Sequence, residues 1–397
     1  MKFAFSPEQE ELRRFVRQFL EEKSPESAVR VQMDTEVGYD EAVWQQMVTQ
    51  LGLAGLIIPE EYGGSGFGYV ELIVVLEEMG RALLCAPFFS TVVLAANTLV
   101  AAGDEAACGQ LLPQIASGET TACLAFTERS GRWDEAGITV EATADVAGAD
   151  VGAATQDASA SAATGAAGTA VAGSWRISGT KTFVIDGHTA DVVLVAARTP
   201  QGVSLFWCPG DAEGLTRTAL STMDQTRKQA RLDFANTPVN LVGELGAGWD
   251  VLERVLDLAA VALAAEQVGG AQMCLDTAVQ YAKDRVQFGR PIGSFQAVKH
   301  ICANMFLELE SARSAAYYAA WCAADNSEEL PVVASLAKAY CSEAYFKITA
   351  DNVQVHGGIG FTWEHPAHLY FRRAKSSELL FGDPAYHREL LAQRIGI

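Results

Sequence analysis

The stretch Arg285-Val286-Gln287-Phe288-Gly289-Arg290-Pro291-Ile292, with Gln296 four residues further on, joins two long apolar segments typical of helices. An arginine offers a rigid fork of N–H donors that suits phosphate oxygens. The ring of Phe288 can lie flat against a planar ligand, and Gly289 lets the chain turn where a helix ends. These residue types indicate a ligand-binding corner, but a plain helix–loop–helix corner with glycine caps explains the stretch equally well.

A second glycine-rich cluster, Gln354-Val355-His356-Gly357-Gly358-Ile359-Gly360-Phe361, follows another long helical segment. Glycines allow backbone N–H groups to approach a ligand closely. Taken alone, this cluster is also compatible with a glycine-capped corner. Because both clusters occur in this order within an all-helical C-terminal part, the sequence favours a binding function for the two loops.

Composition excludes several kinds of partner. The chain has 397 residues, of which 49% are hydrophobic and 20% charged, enough for two or three globular domains. Its net charge of −20 argues against nucleic acid and membrane partners. The cysteines and histidines show no ligand spacing, so we expect neither disulfides nor a metal site. We also expect no membrane-spanning apolar run and no signal segment, and therefore a cytoplasmic protein.

Hydrophobic periodicity predicts an α+β protein with three domains. Helical spacing, opened by a capping box of Ser6 and Gln9, indicates an N-terminal α-helical domain over residues 1–119. Short β-prone runs broken by Gly, Pro and Asp predict a small β-barrel or sandwich over residues 120–238. Long alanine-rich segments predict a C-terminal four-helix bundle over residues 239–397. An Ala/Gly-rich stretch at about 145–173 is expected to be a mobile surface insertion.

The chain resembles the acyl-CoA dehydrogenase family over essentially its whole length. Besides the two clusters above, the resemblance rests on Pro59-Glu60-Glu61-Tyr62-Gly63-Gly64, Thr127-Glu128, the stretch from Ser178 to Gly187, and Arg372-Arg373-Ala374-Lys375. The order and spacing of these motifs make the resemblance highly specific. It implies the fold described above, FAD as cofactor, an acyl-CoA thioester as substrate and electron-transfer flavoprotein as electron acceptor.

In this family FAD spans a subunit interface, so the resemblance implies two sets of binding residues. The first set would reach the FAD of a neighbouring chain: Arg285, Gln287, Phe288, Phe295, Gln296, Gln354, Gly357 and Gly358. We call this set the FAD arm. The second set would contact the flavin ring in the chain's own cleft: Thr127, Phe183 and Ile185.

The carboxylate base of the family is missing. The family reaction removes an α-proton from an acyl thioester while the β-hydrogen leaves as hydride, and this needs a carboxylate beside the α-carbon. The two positions at which family members carry the glutamate are occupied here by Phe381 and Ala259. Glu266 is the best remaining candidate, because it lies seven residues after Ala259 on nearly the same helix face, although two turns span about 10 Å.

Further departures also fall in the chain's own cleft. Ile185 replaces a threonine of the family, and Trp133 stands where a small serine is common. Asp383 brings a negative charge to a position that often carries a hydroxyl near the phosphates, an unfavourable exchange by Coulomb's law. The arm residues, in contrast, are intact.

This asymmetry predicts a subunit of a heteromeric (α2β2) acyl-CoA dehydrogenase, whose paralogous partner would supply the base. Such assemblies act on bulky substrates, so fatty acid or steroid side-chain degradation is the expected context. One alternative is a homo-oligomer that uses Glu266 as a relocated base. The others are a flavin-dependent monooxygenase or oxidase on the same fold, and a catalytically silent partner subunit.

Overall fold

Six α-helices come first in the computed structural model, which describes residues 5–144 and 175–397. They are α1 (Pro7–Lys23), α2 (Glu26–Asp34), α3 (Glu41–Leu51), α4 (Tyr69–Arg81), α5 (Asn97–Ala102) and α6 (Glu105–Ala116). The predicted capping box is present: Gln9 N–H donates to Ser6 Oγ at 3.2 Å, and Ser6 N–H donates to Gln9 Oε1 at 2.8 Å. The sequence analysis missed α2, because this short helix has no side-chain cap and the residues it buries are Val29 and Met33.

Seven strands form one sheet whose pairing closes on itself. They are β1 (Ala122–Ala125), β2 (Glu141–Ala144), β3 (Trp175–Ile185), β4 (Val192–Thr199), β5 (Gly202–Pro209), β6 (Leu215–Ala219) and β7 (Gln229–Val242). Their order is β1-β4-β2-β3-β7-β5, and β5 pairs with β4 as well as with β7. The predicted small β domain is therefore confirmed as a closed ring of strands. The sequence analysis missed β6, because none of its residues is buried.

Strand β3 is continuous over 11 residues but irregular. Its pairing with β7 shifts register between Ile177 and Gly179, and again between Lys181 and Val184. Such bulges turn individual side chains out of the sheet. Phe183 lies at the second shift with a φ of 56°, and its side chain is 51% exposed.

The C-terminal part is a helical bundle, as predicted. It contains α7 (Gly248–Asp284), the hairpin strands β8 (Val286–Gln287) and β9 (Arg290–Pro291), α8 (Gln296–Ala324), α9 (Leu330–His356), α10 (Ala367–Leu379) and α11 (Pro384–Arg394). Helix α7 packs against α4, α8 and α9. At Gly269 a Cβ atom would lie 1.7 Å from the Glu77 carbonyl oxygen, so glycine is required for this close approach of α7 to α4.

Helix α7 corrects the expectation that no apolar run is long enough to span a membrane. By length and composition alone it passes that test, with a mean hydropathy of 1.3 over its most apolar window. Of the residues in that window, 89% are buried inside the protein. A helix that is covered on all sides by other elements is apolar all round, and this packing explains its composition.

Two predictions are not tested by the structure. The Ala/Gly-rich insertion expected at about 145–173 lies outside the described residues. Strands β1 to β7 fall between residues 122 and 242, but the domain boundaries at 119/120 and 238/239 stay predictions.

Candidate functional site

The first arm cluster is a β-hairpin that projects from the end of α7. Gln287 pairs with Arg290, and the two residues between them, Phe288 and Gly289, have φ values of 53° and 76°. Positive φ at both central residues is the geometry of a type I′ turn, which favours Asn-Gly. Phe288 is 91% exposed at the tip. Phe288 is thus a bulky residue in the left-handed region that burial does not hold there, which is uncommon.

Phe295, another residue of the arm, packs against the hairpin. The Phe288 ring meets the ring of Phe295 edge-on at a centroid distance of 6.1 Å. The Arg290 guanidinium lies 4.1 Å above the Phe295 ring, a favourable cation–π geometry. Gln296 begins α8 and is exposed. Arg285 is also exposed, and in the described ranges no acceptor engages its guanidinium.

The second arm cluster lies at the same end of the bundle. The His356 ring stacks on Tyr281 of α7 at 4.4 Å, and the Arg285 N–H donates to the Tyr281 carbonyl at 2.8 Å. The structure therefore brings the two predicted clusters together. His356 also donates from Nδ1 to the Asn352 carbonyl at 2.8 Å, and burial lowers the pKa of its ring. It is thus a packing residue that fixes the loop.

The binding groups of the second cluster face solvent. Gln354, Gly357 and Gly358 are exposed, and Gly357 has a φ of 65°. Phe361 is 82% exposed in the same loop. Phe361 is not among the predicted arm residues, although an aromatic residue beside such a glycine cluster is a usable signal of a ligand contact.

The residues expected beside a flavin ring in the chain's own cleft behave differently. The Thr127 hydroxyl donates to the Thr182 carbonyl at 2.5 Å and is buried. Ile185 is 3% exposed and belongs to the main hydrophobic core. Of the three predicted residues, Phe183 is the one that reaches the surface.

Both family base positions are buried without a carboxylate. Ala259 is fully buried within α7. Phe381 is 4% exposed, and its ring stacks on Phe89 at 5.8 Å and meets Trp133 edge-on at 6.1 Å. Phe126 packs against Trp133 at 5.9 Å. We call these four rings the aromatic cluster; they occupy the space beside the base position.

Glu266, the candidate substitute base, is held in a buried ionic network. Its two carboxylate oxygens accept from Arg227 at 2.5 Å and from Arg373 at 2.8 Å. Arg373 also pairs with Asp224 at 2.8 Å. Burial acts to raise the pKa of Glu266, but the two guanidinium groups outweigh it and lower the pKa. A carboxylate with both oxygens engaged and a lowered pKa is poorly suited to accept a substrate proton.

Sequence reasoning missed the partners in this network. Arg373 stands inside the motif quoted for the family resemblance, and Arg227 precedes β7 in a loop with no motif. Lys338, fully buried in α9, was also missed. Its position in an apolar helical run, between Ala334 and Cys341, was the available signal, because lysine is rarely buried without a specific role.

Two further expectations concern charge and metals. Asp383 accepts from the Tyr386 N–H at 2.8 Å and so caps the start of α11, which gives its negative charge a local structural role.

Within the ranges that the structure describes, no group of three or more His, Cys, Asp or Glu side chains is placed to hold a metal ion.

Comparison with known proteins identifies similar chains. Two family models match: the N-terminal domain of acyl-CoA dehydrogenases over residues 6–119 and their C-terminal domain over residues 246–396. The acyl-CoA dehydrogenase IpdE2 of Mycolicibacterium smegmatis is 33% identical over 380 residues, which covers 96% of each chain.

Two solved structures are similar along the whole length. A variant of the Tcur3481-Tcur3483 steroid ACAD superposes with a TM-score of 0.82 at 29% identity and covers 98% of both chains. The ChsE4-ChsE5 complex from Mycobacterium tuberculosis superposes with a TM-score of 0.84 at 26% identity. That match covers 100% of this chain and 99% of the other.

Proposed function

Because the chain belongs to the acyl-CoA dehydrogenase family of oxidoreductases, we propose that it is one subunit of a heteromeric, FAD-dependent acyl-CoA dehydrogenase. In this assembly it holds part of the partner's FAD through its arm, and the partner supplies the catalytic base. The observation that carries the proposal is the contrast between the two halves of the site. Most of the arm is exposed, and no acceptor in the described ranges engages the Arg285 guanidinium, whereas the base position in the chain's own cleft is filled by the aromatic cluster.

The first support for the proposal is the packing of aromatic rings in the chain's own cleft. Phe381 occupies a family base position, and its ring is packed between Phe89 and Trp133. The Tyr386 hydroxyl donates to the Trp133 carbonyl at 3.4 Å, and this hydrogen bond connects the loop that carries Trp133 to α11. An acyl thioester and a flavin ring would have to displace these rings, and removing large aromatic side chains from a packed core costs several kcal/mol.

The state of Glu266 argues against the homo-oligomer with a relocated base. Arg227 and Arg373 hold both carboxylate oxygens, and Arg373 is 2% exposed. Freeing the carboxylate would leave two buried guanidinium groups short of partners, which is costly. No feature of the described residues favours the monooxygenase or oxidase alternative.

The arm residues fit the pyrophosphate and adenosine end of FAD. The free guanidinium of Arg285 can donate two parallel hydrogen bonds to phosphate oxygens. The amides of Gln287 and Gln354 are exposed donors and acceptors, and the Phe288 ring is presented at the hairpin tip. The Gly357–Gly358 backbone allows close approach. Of the three flavin-ring residues of the chain's own cleft, Thr127 has its hydroxyl hydrogen engaged by the Thr182 carbonyl and Ile185 is buried, whereas Phe183 is exposed.

FAD supplies the hydride acceptor of the reaction when it is bound. This chain's residues would bind and orient the nucleotide end, and no proton transfer is assigned to them. The names Tcur3481-Tcur3483 and ChsE4-ChsE5 each join two proteins, which supports pairing with a paralogue. The steroid ACAD among these neighbours supports a bulky acyl-CoA as substrate. Electron-transfer flavoprotein is the proposed electron acceptor.

Flavin content and native mass test this function. The chain is expressed alone, and then together with a paralogue that keeps glutamate at the position of Phe381. We expect little flavin in the chain alone, and about one FAD for each pair of unlike chains in the complex. About one FAD per chain in a stable homo-oligomer, with activity on an acyl-CoA, would overturn the proposal.

The hairpin tip gives a prediction that separates binding from folding. Phe288→Asn places the residue favoured in a type I′ turn at this position, so the lone chain should be as stable as wild type or slightly more stable. Loss of the aromatic contact should weaken FAD binding by the complex about 3- to 10-fold, since such contacts contribute roughly 0.5–1.5 kcal/mol. Thermal unfolding of the lone chain and FAD titration of the complex measure the two effects. A destabilised lone chain would instead assign Phe288 a structural role.

A further inference from the structure

The loop between α10 and α11, residues 380–383, keeps Phe381 in the cleft at a conformational cost. Phe381 has a φ of 60° and Gly382 a φ of 105°. Phenylalanine is disfavoured in the left-handed region, because its Cβ crowds the backbone. The surrounding structure must therefore hold this conformation in place.

A buried lysine contacts the loop from α9. Lys338 Nζ donates to the carbonyl oxygens of Glu378 at 3.1 Å and Gly382 at 3.0 Å. Lys338 Nζ also donates a third hydrogen bond, to Ser342 Oγ at 3.0 Å. The lysine is 0% exposed, and among the described residues no carboxylate lies within ion-pair distance of its amine. A buried amine without a counter-ion is costly unless its hydrogen bonds are satisfied, and backbone oxygens satisfy most of them here.

A buried histidine contacts the same loop from α11. His387 is 4% exposed, and its Nε2 donates to the Phe381 carbonyl oxygen at 3.0 Å. Asp383 caps the start of α11 by accepting from the Tyr386 N–H. The carbonyl groups of Phe381 and Gly382 are thus each bound by a side chain from a different helix.

We propose that Lys338 and His387 form a clamp that holds the loop 380–383 closed and so keeps Phe381 inside the aromatic cluster. Both act as positioning residues through backbone carbonyl groups. All the hydrogen bonds of the clamp lie within one chain. The clamp therefore does not depend on whether the FAD arm binds the FAD of a partner chain.

The chemistry of the clamp does not require a charge on either group. Burial lowers the pKa of Lys338 to about 7 and that of His387 to about 3. A neutral amine still offers two N–H donors for the two carbonyl oxygens, while the Ser342 hydroxyl can donate to its nitrogen. A neutral imidazole with its proton on Nε2 still donates to Phe381.

A rival explanation is that the aromatic stack alone holds the loop. Phe381 has its own packing partners in Phe89 and Trp133, and stacking could suffice. The two explanations differ in which substitution releases the loop. The clamp predicts release by Lys338→Met or His387→Leu with all four rings intact, whereas the rival predicts release by Phe381→Ala alone.

Amide hydrogen exchange of the full-length chain, read by mass spectrometry, tests the clamp. The reporters are the N–H groups of Leu380, Tyr386 and His387, which are hydrogen-bonded to Ser376 and Asp383. We expect Lys338→Met to speed exchange in this segment about tenfold or more, as loss of a buried hydrogen-bond partner implies. Exchange in α1 to α6 should stay unchanged.

Lys347→Met is the matched control, because Lys347 lies on the same helix but is exposed and pairs with Glu308 at 2.6 Å. It should leave exchange in the loop as in wild type. His387→Leu removes the hydrogen bond to the Phe381 carbonyl and leaves Lys338 in place. This variant therefore tests the clamp if Lys338→Met does not fold. Exchange at wild-type rates in folded Lys338→Met or His387→Leu, with fast exchange in Phe381→Ala, would overturn the clamp. That result would leave the proposed function intact, because flavin content decides that question separately.

Discussion

Glu266→Gln is expected to destabilise the chain by about 3–5 kcal/mol, the usual cost of removing one partner from a buried ion pair. Glu266 forms ion pairs with two guanidinium groups at once, since Arg227 and Arg373 bind its two oxygens. Glutamine keeps the shape of the side chain but offers one acceptor oxygen and no charge. Thermal or urea unfolding of the lone chain measures the loss.

The matched control is Glu253→Gln on the same helix. Glu253 is 55% exposed, and its contact with Arg394 is 3.9 Å long, so a change of well under 1 kcal/mol is expected. The complex containing Glu266→Gln should keep its specific activity once the fraction of folded protein is taken into account. A stable Glu266→Gln variant that has lost activity would make Glu266 the catalytic base and contradict the proposed function.

The pH dependence of this effect follows from the lowered pKa of Glu266. A carboxylate whose pKa is lower in the folded state stabilises the protein above its unfolded pKa, about 4.3, and loses that contribution as pH falls through the folded value. The stability difference between wild type and Glu266→Gln should therefore be constant near neutrality. It should shrink in acid, below about pH 4.3. A difference that grows in acid would rule out an ionised Glu266.

Arg285→Gln is expected to weaken FAD binding by the heteromeric complex about 10- to 100-fold. A hydrogen bond to a charged group contributes roughly 1.5–3 kcal/mol, and a bidentate arginine–phosphate pair lies in this range. Because Arg285 is exposed and unpaired in the described part of the chain, the stability of the lone chain should not change. FAD titration followed by flavin fluorescence gives the affinity.

Arg231→Gln makes the same change of charge on the β domain. Arg231 is exposed and pairs with Asp233 at 2.7 Å within β7. It should leave FAD affinity within about twofold of wild type, as for a surface ion pair. An equal loss in both variants would assign the effect to net charge, and no loss in Arg285→Gln would remove this residue from the cofactor site.

The fold could be predicted because its signals are local in the sequence. Helical and strand periodicities fixed the order of α, β and α parts, and a capping pair such as Ser6 and Gln9 lies within one helical turn. The arm combines an arginine, an aromatic residue and glycines within short loops, whose chemistry suits a ligand but also a glycine-capped corner. Its assignment to FAD follows from the family resemblance. The same resemblance locates the two base positions, Phe381 and Ala259, and the sequence shows that neither carries a carboxylate.

The state of the chain's own cleft was decided by the tertiary structure. The partners of Glu266 lie 39 and 107 residues away along the chain, so helical spacing showed its face but not the arginines that engage it. The aromatic cluster joins Phe89, Trp133 and Phe381 from all three parts of the chain. The amine of Lys338 binds carbonyl groups 40 and 44 residues further on. Periodicity specifies which side of an element is buried, whereas the contacts of a buried charge or ring depend on the elements that pack against it.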